Sequence, residues 1–264
     1  MSLQDMTAQA FAGSTVEIEP GWGQGRATFG GVVGALLVAR MRGMLTEPIP
    51  LRTVSVLFVA PVAPGPARIE ASVLRAGSSA TLVRAELIQD EKVAASAQAA
   101  FGRDRQSVVV VDAEARAPFP AAPDAEGVQR IPFIEGLTPD FIAKVDLRPT
   151  SGAMPYSGAS EPDMGGWMRL DETVSDYQPE HLLAAIDAWP VAITPMLPSP
   201  APASTLSWTV DVIEPPAPDA GADYWRYQVR TDEAGDGYGH CRSLVWSADG
   251  RLVATSQQTL TVFG

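Results

Sequence analysis

The chain has 264 residues, of which 46% are apolar and 19% charged, a composition typical of a globular protein with one large or two small domains. Its formal net charge of −12 argues against nucleic acid and anionic membrane surfaces as partners. A single cysteine, Cys241, excludes an internal disulfide and a cysteine-rich zinc site. The sequence predicts no metal site and no cofactor.

The N-terminal region lacks the basic start and long apolar core of a signal peptide. The longest apolar run, Phe29 to Ala39, is too short to span a bilayer and is followed by Arg40 and Arg42. We therefore expect a cytoplasmic protein without a membrane partner.

The first half of the chain predicts one buried helix followed by an antiparallel meander. A half-exposed strand is predicted over Thr15 to Glu19, where apolar and polar side chains alternate. Glycines then lead through Gly30 and Gly31 into a helix over residues 31–45, which is apolar nearly all round its axis and should be covered by a sheet. Strand-like runs follow at 51–62, 67–75, 79–89 and 93–101.

The second half repeats this order after a stretch rich in Pro, Ala and Asp. Strands are predicted over 141–147 and 166–170, a helix over 179–189, and four strands over 204–213, 224–231, 238–247 and 252–263. Short matches support the repeat: Thr53-Val-Ser-Val56 corresponds to Thr205-Leu-Ser-Trp208, and Val93 to Gln98 corresponds to Val253 to Gln258. We predict two units, 1–115 and 141–264, joined by a connector, 116–140.

The helix over 179–189 carries an acid on the border of its apolar face. Pro179 and Glu180 suit a first helical turn, and Asp187 lies about 40° from Leu183, on the border of the arc formed by the apolar side chains. Asp187 is either a solvated border residue or a functional one. The only histidine of this helix, His181, is about 120° away and is expected on the surface.

The last strand supplies a polar partner for Asp187. Alternation places Gln258 on the same face as Leu252, Leu260 and Val262, which is the core side. A buried amide needs a polar partner, and Asp187 is the one acid of the covering helix that leans inward. The pair would act in catalysis or would only fix the helix on the sheet.

Two further candidates are less determined by the pattern. Strict alternation puts Thr205 on a polar face, so it is either a surface residue or is turned inward by a bulge. Gly30 and Gly31 open the first helix, where free N–H groups could bind an oxyanion or where glycine could serve tight packing.

These residues together resemble the acyl-CoA thioesterase II-like family. The resemblance rests on Phe29-Gly-Gly31, Asp187, Thr205 and the stretch Asp249 to Gln258, and it covers nearly the whole chain except the connector. It implies an α+β double hotdog, in which two antiparallel sheets each wrap a long central helix and join into one pseudo-dimeric sheet. Ser207, where many relatives carry an acid, and the bulky Trp208 depart from the family pattern.

The resemblance also implies a function in fatty acid metabolism, the hydrolysis of acyl-CoA. Asp187, Thr205 and Gln258 would bind and activate water, and Gly30 and Gly31 would serve the oxyanion. The alternatives are a non-catalytic acyl-thioester binder and a hotdog hydratase or dehydratase. A serine hydrolase is disfavoured because the chain has no Gly-x-Ser-x-Gly motif.

The strong acidity favours coenzyme A over an acidic carrier protein as the thioester donor. Candidate phosphate contacts are Arg40, Arg42, Arg52 and Arg242, although surface solubility explains them equally well. The resembled family makes a homo-oligomer plausible, but the sequence does not show one.

Overall fold

The computed structural model describes residues 1–111 and 121–263. Residues 112–120, which include the start of the predicted connector, and Gly264 lie outside this description. The helices are α1 (Leu3–Ala12), α2 (Gly30–Arg42) and α3 (Pro179–Asp187). The strands are β1 (Thr15–Ile18), β2 (Gly23–Gln24), β3 (Ala27–Thr28), β4 (Leu51–Phe58), β5 (Gly65–Ala76), β6 (Ala80–Gln89), β7 (Lys92–Gly102), β8 (Val145–Ser151), β9 (Met164–Leu170), β10 (Ala203–Val212), β11 (Trp225–Gly235), β12 (Tyr238–Trp246) and β13 (Leu252–Val262).

A large antiparallel sheet of 11 strands spans both halves of the chain, in the order β1-β5-β6-β7-β4-β10-β13-β12-β11-β9-β8. The halves meet where β4 pairs with β10, and Val56 lies opposite Trp208 at this junction. Reading outward, β4 is followed by β7, β6 and β5, while β10 is followed by β13, β12 and β11. The sheet therefore repeats the same order of strands on both sides of its centre.

Most predicted elements are confirmed, with ends shifted by a few residues. One prediction is wrong in part: the strand expected over 141–147 begins only at Val145. Residues Asp140–Lys144 form a 3₁₀ turn instead, in which Ile142 N–H donates to the Pro139 carbonyl at 3.1 Å. The two buried side chains Phe141 and Ile142 are adjacent, which suits a turn better than an alternating strand.

The helix α2 is buried along most of its length, as its apolar sequence predicts. The helix α3 starts at Pro179 as expected but ends at Asp187 instead of Trp189. Pro190 explains the early end, because a residue before proline disfavours the helical conformation. Within the described ranges, no helix is long and apolar enough to cross a bilayer.

The helix α1 was not predicted. It begins with a capping box, in which Ser2 and Asp5 bond reciprocally to each other's backbone N–H groups. The N–H groups of Leu3 and Gln4 donate to the Glu172 carboxylate at 3.1 Å each, so the N-terminus of the chain is attached to its second half.

The helices α2 and α3 pack in opposite directions. At one end Arg42 forms an ion pair with Glu180, and at the other the start of α2 contacts Ala184 and Asp187. The expectation that His181 lies on the surface is wrong, because only 2% of it is exposed. Its Nδ1 accepts from the Gln178 N–H at 3.0 Å, and burial lowers its pKa to about 4.

We expect residues 1–115 expressed alone to be insoluble, because β4 would lose its partner β10 and expose an unpaired central edge. Solubility and cooperative unfolding of this fragment measure the effect, with the whole chain as the control. A soluble, cooperatively folding monomer of residues 1–115 would contradict this prediction.

Candidate active site

The carboxylate of Asp187 lies between the last strand and the start of α2. Gln258 Nε2 donates to Asp187 Oδ1 at 2.7 Å. The other oxygen, Oδ2, lies 2.8 Å from the place that a Cβ atom on Gly30 would occupy. The structure therefore brings together Asp187, Gln258 and Gly30.

The two glycines at the start of α2 have different surroundings. A Cβ on Gly31 would lie 3.0 Å from the Ala184 backbone and 2.6 Å from the Phe29 ring, so Gly31 permits close helix packing. The Val32 and Val33 N–H groups both donate to the Phe29 carbonyl. Within the described residues, Gly30 and Gly31 have no backbone acceptor for their N–H groups, as is usual for a first helical turn.

Burial raises the pKa of the Asp187 carboxyl to about 7. Hydrogen bonds from the Gln258 side chain and the Gly31 backbone N–H oppose this shift, because they favour the charged form. An acid with such a pKa can both accept and release a proton near neutral pH.

A β-bulge decides the orientation of Thr205. The pairing of β10 with β13 shifts between Thr205 and Ser207, so that Thr205 lies opposite Leu260, which is fully buried. Directly opposed residues share a face of the sheet, so Thr205 lies on the face that Gln258 occupies. Its hydroxyl makes no hydrogen bond within the part of the chain that the structure describes.

Among the residues of the first half that the structure describes, there is no second copy of this arrangement. Counted from the first residue of each helix, the position in α2 that corresponds to Asp187 is Val38, which is fully buried. In the sheet, Gln258 lies opposite Trp208, and the corresponding partner of Val56 is Ala97. The sequence match between Gln98 and Gln258 is therefore one residue out of register, and Gln98 is exposed.

Three of the four arginines predicted as phosphate contacts have acidic partners within the protein. Arg42 pairs with Glu180, Arg52 with Asp104 and Arg242 with Asp232. Arg40 forms no ion pair with the described residues.

Phe58 also contributes to the site, although it was not among the residues predicted from the sequence. Its ring lies 3.3 Å from the Cβ position of Gly30 and so forms part of the wall beside Asp187. Strand alternation from Val54 and Val56 would have placed Phe58 on the inner face. Its proximity to α2 depends on tertiary packing and has no signal in the sequence.

Two protein-family models match this chain and show the family to which it belongs. The family model for the acyl-CoA thioesterase N-terminal domain matches residues 18–102, and the model for the acyl-CoA thioesterase C-terminal domain matches residues 115–262. The chain belongs to the acyl-CoA thioesterase family. It is, by this membership, a thioester hydrolase. Among curated proteins, none matches the thioesterase significantly.

Solved structures resemble this thioesterase over nearly its whole length. A protein of unknown function with a hot dog fold from Alicyclobacillus acidocaldarius has 23% identity and a TM-score of 0.85, and the alignment covers 99% of this chain and 98% of that one. A putative thioesterase II from Thermobifida fusca YX has 24% identity and a TM-score of 0.78, covering 95% and 92%.

An acyl-CoA thioesterase II, TesB2, from Mycobacterium marinum has 16% identity and a TM-score of 0.69, covering 94% of this thioesterase and 92% of that chain. At these identities the likeness concerns the fold alone. The hotdog fold expected from the sequence is confirmed.

The raised pKa of Asp187 predicts a pH-dependent effect of Asp187→Asn on stability. The folded parent binds a proton more tightly than the unfolded chain, so its stability falls as the pH rises from about 4 through about 7. Asp187→Asn has no carboxyl group to titrate and so lacks this pH-dependent loss of stability. Its melting temperature relative to that of the parent should therefore rise as the pH increases from about 5 to about 8, the range that spans the Asp187 pKa of about 7.

Thermal unfolding of both proteins across this range measures the difference. The control Asp176→Asn changes an exposed carboxylate just before α3. If Asp187→Asn lowers the melting temperature equally at every pH, the pKa of Asp187 is not raised by desolvation in the folded protein.

Proposed function

We propose that the protein hydrolyses acyl-CoA by direct attack of water, with Asp187 as the general base. The observation that supports this proposal is the desolvated Asp187 carboxylate, held by Gln258 beside the start of α2. General-base catalysis is most effective when the pKa of the base lies near the working pH. No side chain needs to form a covalent intermediate.

In the proposed reaction, a water molecule lies against Asp187 and is oriented by Gln258 and Thr205. Asp187 takes a proton as the water oxygen forms a bond to the thioester carbonyl carbon. The carbonyl oxygen becomes negative and accepts a hydrogen bond from the N–H group of Gly30. The N–H group of Gly31, which the sequence also offered for the oxyanion, donates to Asp187 instead. The carbon–sulfur bond then breaks, and the proton held by Asp187 passes to the leaving thiolate of coenzyme A.

We also infer a double hotdog with units 1–115 and 141–264 and a connector at 116–140. The matching order of strands on both sides of the β4–β10 junction supports this inference. A predominantly buried helix in each half supports it too, although α3 has only 9 residues. Assembly into oligomers and a cytoplasmic location stay predictions.

The geometry does not favour the hydratase alternative. That chemistry uses a histidine close to the catalytic acid. His181 lies in the first turn of α3, at the opposite end of the helix from Asp187, and contacts Gln178 and Thr7. His240 lies on β12 and contacts Thr259.

We predict that Asp187→Asn lowers kcat by about two to four orders of magnitude, because it removes the proton acceptor and retains the shape of the side chain. In the parent, kcat/KM should rise with pH through about 7, as the Asp187 carboxyl loses its proton. Thiol release from a series of acyl-CoAs measures both effects. Asp176→Asn is the control, and full activity in Asp187→Asn would exclude Asp187 as the base.

Replacing Gln258 by alanine should move the pH profile to higher pH. The Gln258 hydrogen bond favours the charged carboxylate, so its loss raises the pKa of Asp187 further and lowers activity at neutral pH. Stability should fall by about 1–3 kcal/mol, because the partly buried, desolvated carboxylate of Asp187 loses its donor.

Gln257→Ala is the matched control, since Gln257 is exposed on the opposite face of the same strand. The pH dependence of kcat/KM and denaturant unfolding are measured for both variants. If the pH midpoint of kcat/KM is the same in Gln258→Ala as in the parent, Gln258 does not influence the pKa of the catalytic base.

A further inference from the structure

The indole of Trp208 fills the space between the centre of the sheet and α2. Only 1% of Trp208 is exposed, and its Nε1–H donates to Ser256 Oγ at 2.8 Å. A ring atom lies 2.8 Å from the place that a Cβ on Gly34 would occupy. The indole is therefore held by the sheet on one side and by the helix on the other.

This ring lies close to the candidate active site. Trp208 is the direct cross-strand neighbour of Gln258, the hydrogen-bond partner of Asp187. Gly34 lies four residues after Gly30 on the same face of α2, which places it about 6 Å further along the helix axis. The indole thus stands about one helical turn beyond the Asp187 carboxylate.

A second aromatic ring bounds the same face of α2. Phe58 lies against Gly30, and Trp208 lies against Gly34. Both residues are on the two central strands of the sheet. An apolar chain that entered beside Asp187 and followed α2 would therefore meet the indole within about one turn.

Two surface clefts, of about 390 and 370 Å³, lie away from this face of α2. Their walls are formed by residues of the connector and of the second half of the chain, and neither cleft is lined by a residue of α2 or α3.

We propose that Trp208 is a specificity-determining residue that closes the acyl-binding space and restricts the enzyme to thioesters of short acyl chains. This proposal rests on the proposed function of the Asp187 site. Protein interiors are close-packed, so a chain longer than the available space must displace the indole and break its hydrogen bond to Ser256. Shortening the side chain at position 208 should extend the range of accepted substrates.

The test measures kcat/KM for thiol release across saturated acyl-CoAs from acetyl to dodecanoyl. The parent should prefer the short members of the series. In Trp208→Leu the preference should move to longer chains, with a gain of about fourfold for each further methylene that is buried, the equivalent of about 0.8 kcal/mol. Trp208→Phe should give a smaller shift in the same direction.

Trp225→Leu is the matched control. Trp225 is also buried, with 4% exposed, and its indole N–H donates to a hydroxyl, that of Tyr177, at 3.2 Å. It lies on β11, so its replacement should leave the chain-length preference of the parent unchanged.

A binding experiment separates this proposal from the proposed function. Calorimetry with the same acyl-CoAs on Asp187→Asn, alone and combined with Trp208→Leu or Trp208→Phe, reports chain-length preference without turnover. A parent inactive on every acyl-CoA would overturn the proposed function, while the binding series would still decide the role of Trp208. Equal chain-length dependence in Trp208→Phe and the parent, or a parent that prefers long chains, would overturn the Trp208 proposal.

Discussion

The antiparallel packing of α2 against α3 is the contact on which the candidate site depends. It brings the end of α3, where Asp187 lies, to the start of α2, where glycines leave room for a carboxylate and for a neighbouring helix backbone. A side chain at Gly31 would force the helices apart, because its Cβ would lie 3.0 Å from the Ala184 backbone. The acid is consequently desolvated, and desolvation raises its pKa to about 7.

The opposite end of the helix pair shows how the two halves have diverged. There Arg42 forms an ion pair with Glu180, which is 3% exposed, and His181 is buried beside them. A buried ion pair contributes mainly by leaving no charge unpaired. The residues that would form a second acid site are apolar, Val38 and Ala97. Although the strand order is repeated in the two halves, the two ends of the helix pair differ: one holds the candidate site at Asp187, and the other holds the structural ion pair between Arg42 and Glu180.

The register of the sheet determines which side chains meet at this site. One bulge in β10 reverses the face of Thr205, while Trp208 stays opposite Gln258. A shift of one residue moves every later side chain to the other face of a strand. For the same reason Gln98, which matches Gln258 in sequence, lies on the exposed face and Ala97 takes its place.

The sequence by itself determined the helix α2, the two meanders and the juxtaposition of Asp187 with Gln258, because apolar periodicity assigns each side chain to a buried or an exposed face. It did not determine α1, the burial of His181 or the orientation of Thr205. Only the tertiary structure decided these, since they depend on which elements pack together and on where a strand is interrupted. Periodicity is a local property, whereas the contacts of Phe58 and Trp208 with the glycines of α2 join segments far apart in the chain.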